Sequence, residues 1–438
     1  MTLEARTPFD RTLLAIIGLC SIAVVATCSG QGQVVVLDAP AHSASAPAPR
    51  ADGPHATLAS SGDAKRARIA ADKHPLAGFF SALGALSRGT RETHVRLLWF
   101  GDSHTAADFW PDAVRSVFAR RFGGGGPGFS YLGLRRYRHA GLQVSSTGNW
   151  RREPPSPASI KPWGDTVFGL GGVRTVPESG TARAEIEVEP GALLGDAHFT
   201  VLYRAAPGTS LELSLDGNSV AVPPPNPERV VQRAGVVRSG TAPGSARLTL
   251  GRKGGRLELF GVVVEGGEAG VVVDTLGIDG ARVATPLAWD AAAFEAEVRA
   301  RAPSLVVLAY GTNEVFDAHS PELYADHYRE LLARLRKAEP NVGCLIVGPP
   351  DVATPEGATH PRVLEITLVQ HHVAEELGCG FSSALEAMGG PGSFSRWATR
   401  TPSWAREDGI HLTPSGYEEL GRRLAEGLLE EYARALGE

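Results

Sequence analysis

Ser103 is the residue of this 438-residue chain best placed for chemistry. It follows the run Leu97-Leu98-Trp99-Phe100-Gly101-Asp102, an apolar strand that stops at a glycine, and His104 comes next. A serine at the C-terminal tip of a strand stands clear of the sheet, where a substrate can reach it. Its hydroxyl is a weak nucleophile and needs a base within hydrogen-bond reach. Far downstream, Asp408-Gly409-Ile410-His411 sets a carboxylate three residues from an imidazole. His411 is the candidate base and Asp408 the group that fixes its tautomer. Together with Ser103 they supply the parts of an acyl-transfer triad. A tetrahedral intermediate also needs donors for its oxyanion, each contributing about 2.7–4 kcal/mol of transition-state stabilisation. The candidates are the Ser103 and Gly280 backbone N–H groups and the Asn313 side-chain amide. Gly280 follows the run VVVDTLGID, and Asn313 follows SLVVLAY.

These groups sit at strand ends, and the surrounding pattern says which sheet the strands belong to. Residues 75–123 read as a short helix, the strand ending at Phe100, and a helix with Pro111 near its start, broken by Gly123 to Gly126. After residue 305 the pattern alternates. A strand over 304–310, a helix over 321–337, a strand over 344–347, a helix over 362–377 and a strand near Phe381 precede a last helix. That helix begins at Pro414 behind a Thr413 cap. Such alternation implies an α/β fold with a parallel sheet and helices on both faces. The middle differs. Ala184, Ile186 and Val188 alternate with glutamates, Leu211, Leu213 and Leu215 precede an Asp216-Gly217 turn, and Leu248 and Leu250 mirror Leu257 and Leu259 across Gly254-Gly255. Period-two alternation with glycine turns implies an antiparallel sandwich. The expected layout is a targeting segment over 1–28, a disordered linker over 29–74, and a first α/β part over 75–139. An inserted all-β domain over 140–268 and a second α/β part over 269–438 follow.

Composition sets the class. With 43% hydrophobic and 21% charged residues the chain can bury a sizeable core, and a net charge of −5 gives no pull toward nucleic acid. The basic clusters Arg135, Arg136 and Arg138, and Arg151 with Arg152, read as solvated loop charge. Residues 12–28 are apolar and uncharged behind Arg6 and Arg11, a secretory h-region or a membrane anchor. Val25-Ala26-Thr27-Cys28 looks like a lipobox, with Thr27 departing from the usual small residue, so a lipid anchor at Cys28 is one option. Residues 29–74, rich in Ala, Ser, Pro and Gly, read as a tether. The folded part is expected outside the cytoplasm, in the periplasm or cell envelope. That setting permits a Cys344–Cys379 disulfide, and inert buried thiols are the equal alternative. No zinc-type cluster appears. His371-His372 with Glu375 and Glu376 reads as a polar helix face. Trp110, Trp150, Trp163, Trp397 and Trp404 are assigned to core or edge packing, and His104 to no role.

Gly101-Asp102-Ser103, Gly280, Gly311-Thr312-Asn313 and Asp408-x-x-His411 occur in order, and they resemble the four blocks of the SGNH (GDSL) hydrolase superfamily. The resemblance implies the SGNH three-layer fold, Ser103 as nucleophile, Gly280 and Asn313 in the oxyanion hole, and Asp408 with His411 completing the triad. The α/β-hydrolase elbow does not fit, because Thr105 stands where its last glycine would be. A narrower set is Gly101 to Asp108, the glycine-rich run 123–128, Leu276 to Ala281 and Tyr310 to Glu314. It resembles bacterial peptidoglycan O-acetylesterases, which carry a sandwich similar to a carbohydrate-binding module between the Ser and Gly blocks. Glu314 fits that group, while Asp279 stands where Asn is more usual. The resemblance implies a cofactor-free serine O-acetylesterase acting on an acetylated glycan, peptidoglycan first. A carbohydrate O-acetyltransferase of the same fold and a non-catalytic glycan-binding protein are the alternatives.

Overall fold

The computed structural model describes residues 34–35, 74–134, 137–156, 165–193, 195–240 and 246–437. The targeting segment, Cys28, Arg135, Arg136 and Trp163 lie outside them. Among the described residues no helix is long and apolar enough to cross a membrane.

Five parallel strands form the α/β sheet. In spatial order they are Val271–Gly277, Val95–Gly101, Leu305–Ala309, Gly343–Val347 and Gly380–Ser382. Numbered along the chain this is 2-1-3-4-5, a doubly wound order whose direction reverses between the first and third strands. Side chains alternate across the sheet. Val95, Leu97 and Trp99 point to the face covered by helices Ala77–Ser87, Phe109–Phe122 and Pro414–Leu436. Leu98 and Phe100 point to the face covered by Ala291–Arg301, Pro321–Ala338 and Pro361–Leu377. Ser320 and Thr413 cap two of these helices, each before a proline in the first turn. Cys344 and Cys379 are joined in a disulfide, which decides between the two readings left open by the sequence.

The middle of the chain is all antiparallel strand. One sheet, in order Asn218–Val220, Ser210–Leu215, Arg247–Lys253, Arg183–Val188 and Leu142–Thr147, packs on a second sheet built around Ala197–Ala205 and Leu257–Gly266. The second sheet draws on strands from beyond the 140–268 span. Gly128–Ser130 pairs with Leu257–Gly266, because the glycine-rich run ahead of it can lie against the α/β sheet. Val34–Val35, from the stretch read as disordered linker, pairs antiparallel with Gln232–Arg238.

The sandwich and the α/β part share one core. Phe129, Phe168 and Phe260 of the sandwich pack in the same cluster as Phe100, Trp289 and Phe294. Buried charges cross the same seam. Arg301 donates to Asp274 at 2.9 Å and to Glu265 at 2.9 Å, Arg96 donates to Glu265 at 2.7 Å, and the Phe129 N–H donates to Asp274 at 2.8 Å. Burial opposes the charge on Glu265, but Arg301 and Arg96 hold its carboxyl well below the usual range.

Candidate active site

Gly101 ends the first strand because nothing larger fits there. A Cβ would lie 2.1 Å from Thr105 Oγ1 and 2.8 Å from the Ala309 carbonyl. The chain folds over the strand tip as the one-turn helix Ser103–Ala106, capped by Asp102, whose Oδ1 accepts the His104 N–H at 3.0 Å. Gly277, on the neighbouring strand, is packed as closely, with its Cβ position 2.3 Å from the Ala106 nitrogen. The turn that carries Ser103 therefore rests on three strand tips at the point where strand order reverses, the place where open α/β sheets build their sites.

His411 comes from the loop before the last helix. The Ala405–Leu412 bridge, an Arg406 N–H to His411 carbonyl bond of 2.8 Å and an Ala353 N–H to Gly409 carbonyl bond of 2.8 Å fix that loop. Gly409 has φ of 76°, a left-handed conformation that suits glycine. Ser103 Oγ lies 2.9 Å from His411 Nε2, and His411 Nδ1 lies 2.8 Å from Asp408 Oδ2. The other oxygen of Asp408 accepts the N–H groups of Ile410 at 2.9 Å and His411 at 2.8 Å. Burial raises the Asp408 carboxyl, but these donors and the imidazole outweigh it and hold the group below its ordinary value. An ionised Asp408 is acceptor-only, so Nδ1 carries the ring proton and Nε2 accepts from the serine hydroxyl.

The proposed oxyanion groups lie on the next two loops. Gly280 has φ of 77°, and Asn313 Nδ2 donates to the Ala281 carbonyl at 2.9 Å, tying the two loops together. Behind them Glu314 accepts the Val283 N–H at 2.8 Å, and Arg282 pairs with Asp317 at 2.7 Å. Burial pushes the Glu314 carboxyl up to about 8, with Asp102 adding to the push against the Val283 donor. Burial likewise raises Asp102 to about 6, against the His104 N–H and the nearby Thr312 and His411.

Several contributors escaped the sequence. His104 is buried beside the site, its ring centroid 5.3 Å from that of His411 and its Nδ1 2.9 Å from Tyr417 Oη. Burial, helped by His411, pushes it down to about 3, so it is a neutral wall. Asp108 is buried with φ of 55° and bonds Arg115, Thr275 and the Ala140 N–H, anchoring the start of the insert. Ser103 opens onto a cleft of about 510 Å³ whose other walls include Trp150, Arg152, Tyr137 and Arg138. Two of the arginines read as loop charge thus face the site, and Trp150 lines it rather than an edge. Trp110 and Trp397 are core residues, and Trp404 packs on Trp397 at 5.1 Å. His371 and His372 are exposed on their helix.

The GDSL-like lipase/acylhydrolase family model matches residues 253–419. That stretch holds Gly280, Asn313, Asp408 and His411 and leaves out Ser103, which the insert separates from it. A solved structure titled "Peptidoglycan O-acetylesterase in action, 5 min" is 25% identical, covers 83% of this chain and 97% of its own, and superposes with a TM-score of 0.68. The chain carries a GDSL-like acylhydrolase domain. As such it is a carboxylic ester hydrolase. A lipase/acylhydrolase from Enterococcus faecalis is 18% identical over 37% of this chain and 77% of its own, at a TM-score of 0.29. A family two carbohydrate esterase from Clostridium thermocellum is 10% identical over 57% of this chain and 94% of its own, at a TM-score of 0.28. No curated protein matches this sequence.

Proposed function

We propose that this hydrolase removes O-acetyl groups from a cell-envelope carbohydrate, peptidoglycan first, through an acyl-enzyme on Ser103. The observation that carries the reading is the unbroken relay from Ser103 Oγ through both nitrogens of His411 to Asp408, at 2.9 and 2.8 Å. The likeness to a peptidoglycan O-acetylesterase, which extends over the inserted sandwich as well as the α/β part, supports the substrate class.

Ser103 Oγ attacks the acetyl carbonyl as His411 takes its proton, and Asp408 stabilises the imidazolium. The oxyanion rests on the N–H groups of Ser103 and Gly280 and on the second N–H of the Asn313 amide. His411 returns the proton to the departing sugar oxygen. Water, deprotonated by the same imidazole, attacks the acetyl-serine, and acetate leaves as the serine is reprotonated. No step calls on a metal or organic cofactor. Placement outside the cytoplasm accords with a glycan substrate and with the Cys344–Cys379 disulfide. The N-terminal segment would then export or tether the enzyme. The sandwich would act as a module that holds glycan.

The test is acetate release from O-acetylated peptidoglycan, acetylated xylan and an aryl acetate. Turnover is expected to be fastest on peptidoglycan and absent in Ser103→Ala. Acetylation of an added glycan at the expense of acetate release would favour the transferase. A serine-directed probe that fails to label the wild type would leave a binding protein.

A further inference from the structure

The arginines around the site fall into two kinds. Arg115, Arg151 and Arg174 are paired with carboxylates at 2.9–3.0 Å or less. Arg152 and Arg138 are not. Arg152 is half-buried, makes no hydrogen bond or ion pair with any described residue, and has its Nε buried without an acceptor. Leaving such a donor unmet is costly, and an arriving acceptor removes that cost. Arg138 is exposed, lies 3.8 Å above the Phe109 ring, and uses one of its five N–H groups on the Ala107 carbonyl at 3.2 Å. These two contacts aim the guanidinium; Asp112 feels its charge but makes no ion pair or hydrogen bond with it. Both arginines line the cleft that holds Ser103.

Trp150 gives the same cleft a flat floor. Its Nε1–H donates to the Thr147 carbonyl at 2.9 Å. Its ring lies over Gly133, where a Cβ would come within 2.6 Å of Cε3, so the ring is held from both ends. An indole fixed this way offers a sugar ring an apolar face. Asp279, exposed in the same cleft, disfavours negative charge on its own side.

We propose that this cleft is a subsite for a carboxylate on the acetylated sugar, with Arg138 and Arg152 gripping the acid while the ring lies on Trp150. The enzyme thereby selects acidic acetylated glycans over neutral ones. Planar guanidinium forks match carboxylate geometry, and a neutral sugar would leave two unpaired cations in the cleft. The inference rests on the reading of Ser103 as a glycan deacetylase, so its test is separated from turnover.

The experiment is calorimetric titration of Ser103→Ala protein, which holds its ester intact. The probes are an O-acetylated amino-sugar disaccharide with a free carboxylate and its methyl ester. The acid is expected to bind about tenfold tighter at low salt, with the advantage shrinking as sodium chloride rises. Arg138→Gln with Arg152→Gln is expected to bring the two probes within about twofold, and Lys at both positions to keep part of the preference. Equal binding of acid and ester, or a preference that survives the double replacement in a folded protein, overturns the subsite. If the double variant does not fold, Arg138→Gln alone, at an exposed position, must cut the preference at least about threefold. Acetate release by the unaltered enzyme is read separately. Its absence would remove the deacetylase reading and leave the carboxylate preference measurable.

Discussion

The two sheets of the inserted sandwich are built on different rules. In the outer sheet, Arg183–Val188 alternates strictly, with Ala184, Ile186 and Val188 buried and Glu185 and Glu187 turned away from them. In the inner sheet, Leu257–Gly266 is buried almost from end to end. The first pattern is that of a sheet with one wet face, the second of a sheet covered on both. What covers the second face is the hydrolase itself, through Phe294, Trp289 and the Arg301 charge network. The insert is therefore fused to the catalytic half by a common core, and its edge strand Trp150–Glu153 supplies part of the cleft wall.

The sharpest contrast is chemical, since every group in the relay comes from the α/β half. Ser103→Ala or His411→Ala should lower kcat for acetate release about 10³-fold or more. The melting temperature should move little, because Ser103 is only partly buried. Stopped acetate assays beside thermal melts check both halves of that statement. Breaking the seam comes next. Arg301→Met strands Asp274 and Glu265 and should cost about 3–5 kcal/mol in chemical denaturation. One shared transition should report both regions. Separate transitions for the sandwich and the α/β part would show that the common core does not couple them. Loss of the disulfide in Cys344→Ser with Cys379→Ser acts away from the seam. The closed loop of 35 residues predicts about 3–4 kcal/mol, read as a lower urea midpoint.

A smaller effect comes from Glu314. Its folded carboxyl sits at about 8 and its ordinary value is 4.5, so the native protein keeps a proton that the unfolded chain releases. Stability from this group is complete below pH 4.5 and is lost as pH rises through about 8. Asp102, raised to about 6, slopes the same way at lower pH. Urea midpoints taken at intervals between pH 5 and 9 should fall for the wild type. They should fall less for Glu314→Gln, which mimics the protonated acid. The least effect belongs to the outer sheet. Thr249→Ala, half-exposed on its wet face, should change stability by no more than about 0.5 kcal/mol.

How much of this was legible in the sequence follows from range. The α/β elements were readable because buried parallel strands are short apolar runs and the last helix carries a Thr-Pro start. The outer sheet was readable from its alternation. The Gly128–Ser130 strand was not, since three residues carry no period and its partner lies over 120 positions away. The proposed triad stood out because Ser103 ends an apolar strand and Asp408 with His411 stands just ahead of the Thr413-Pro414 helix start. The cleft wall stayed hidden. Trp150 and Arg152 lie two residues apart on an unremarkable strand, and nothing local distinguishes an arginine with an acid partner from one without. His104 was equally opaque, because its neutrality comes from burial under a helix more than three hundred positions away.

The chain leaves the α/β sheet and comes back to it at nearly one point. The Val271 N–H donates to the Gly123 carbonyl at 2.9 Å, and the Gly125 N–H to the Val271 carbonyl at 2.9 Å. Seen from the parallel strands, the whole sandwich is a hairpin whose two legs touch, so its size makes no demand on their spacing. An ancestral protein could have acquired, enlarged or exchanged this module without shifting a single strand tip. Any replacement would still have had to bring its own phenylalanines, and an acid for Arg301, to seal the junction.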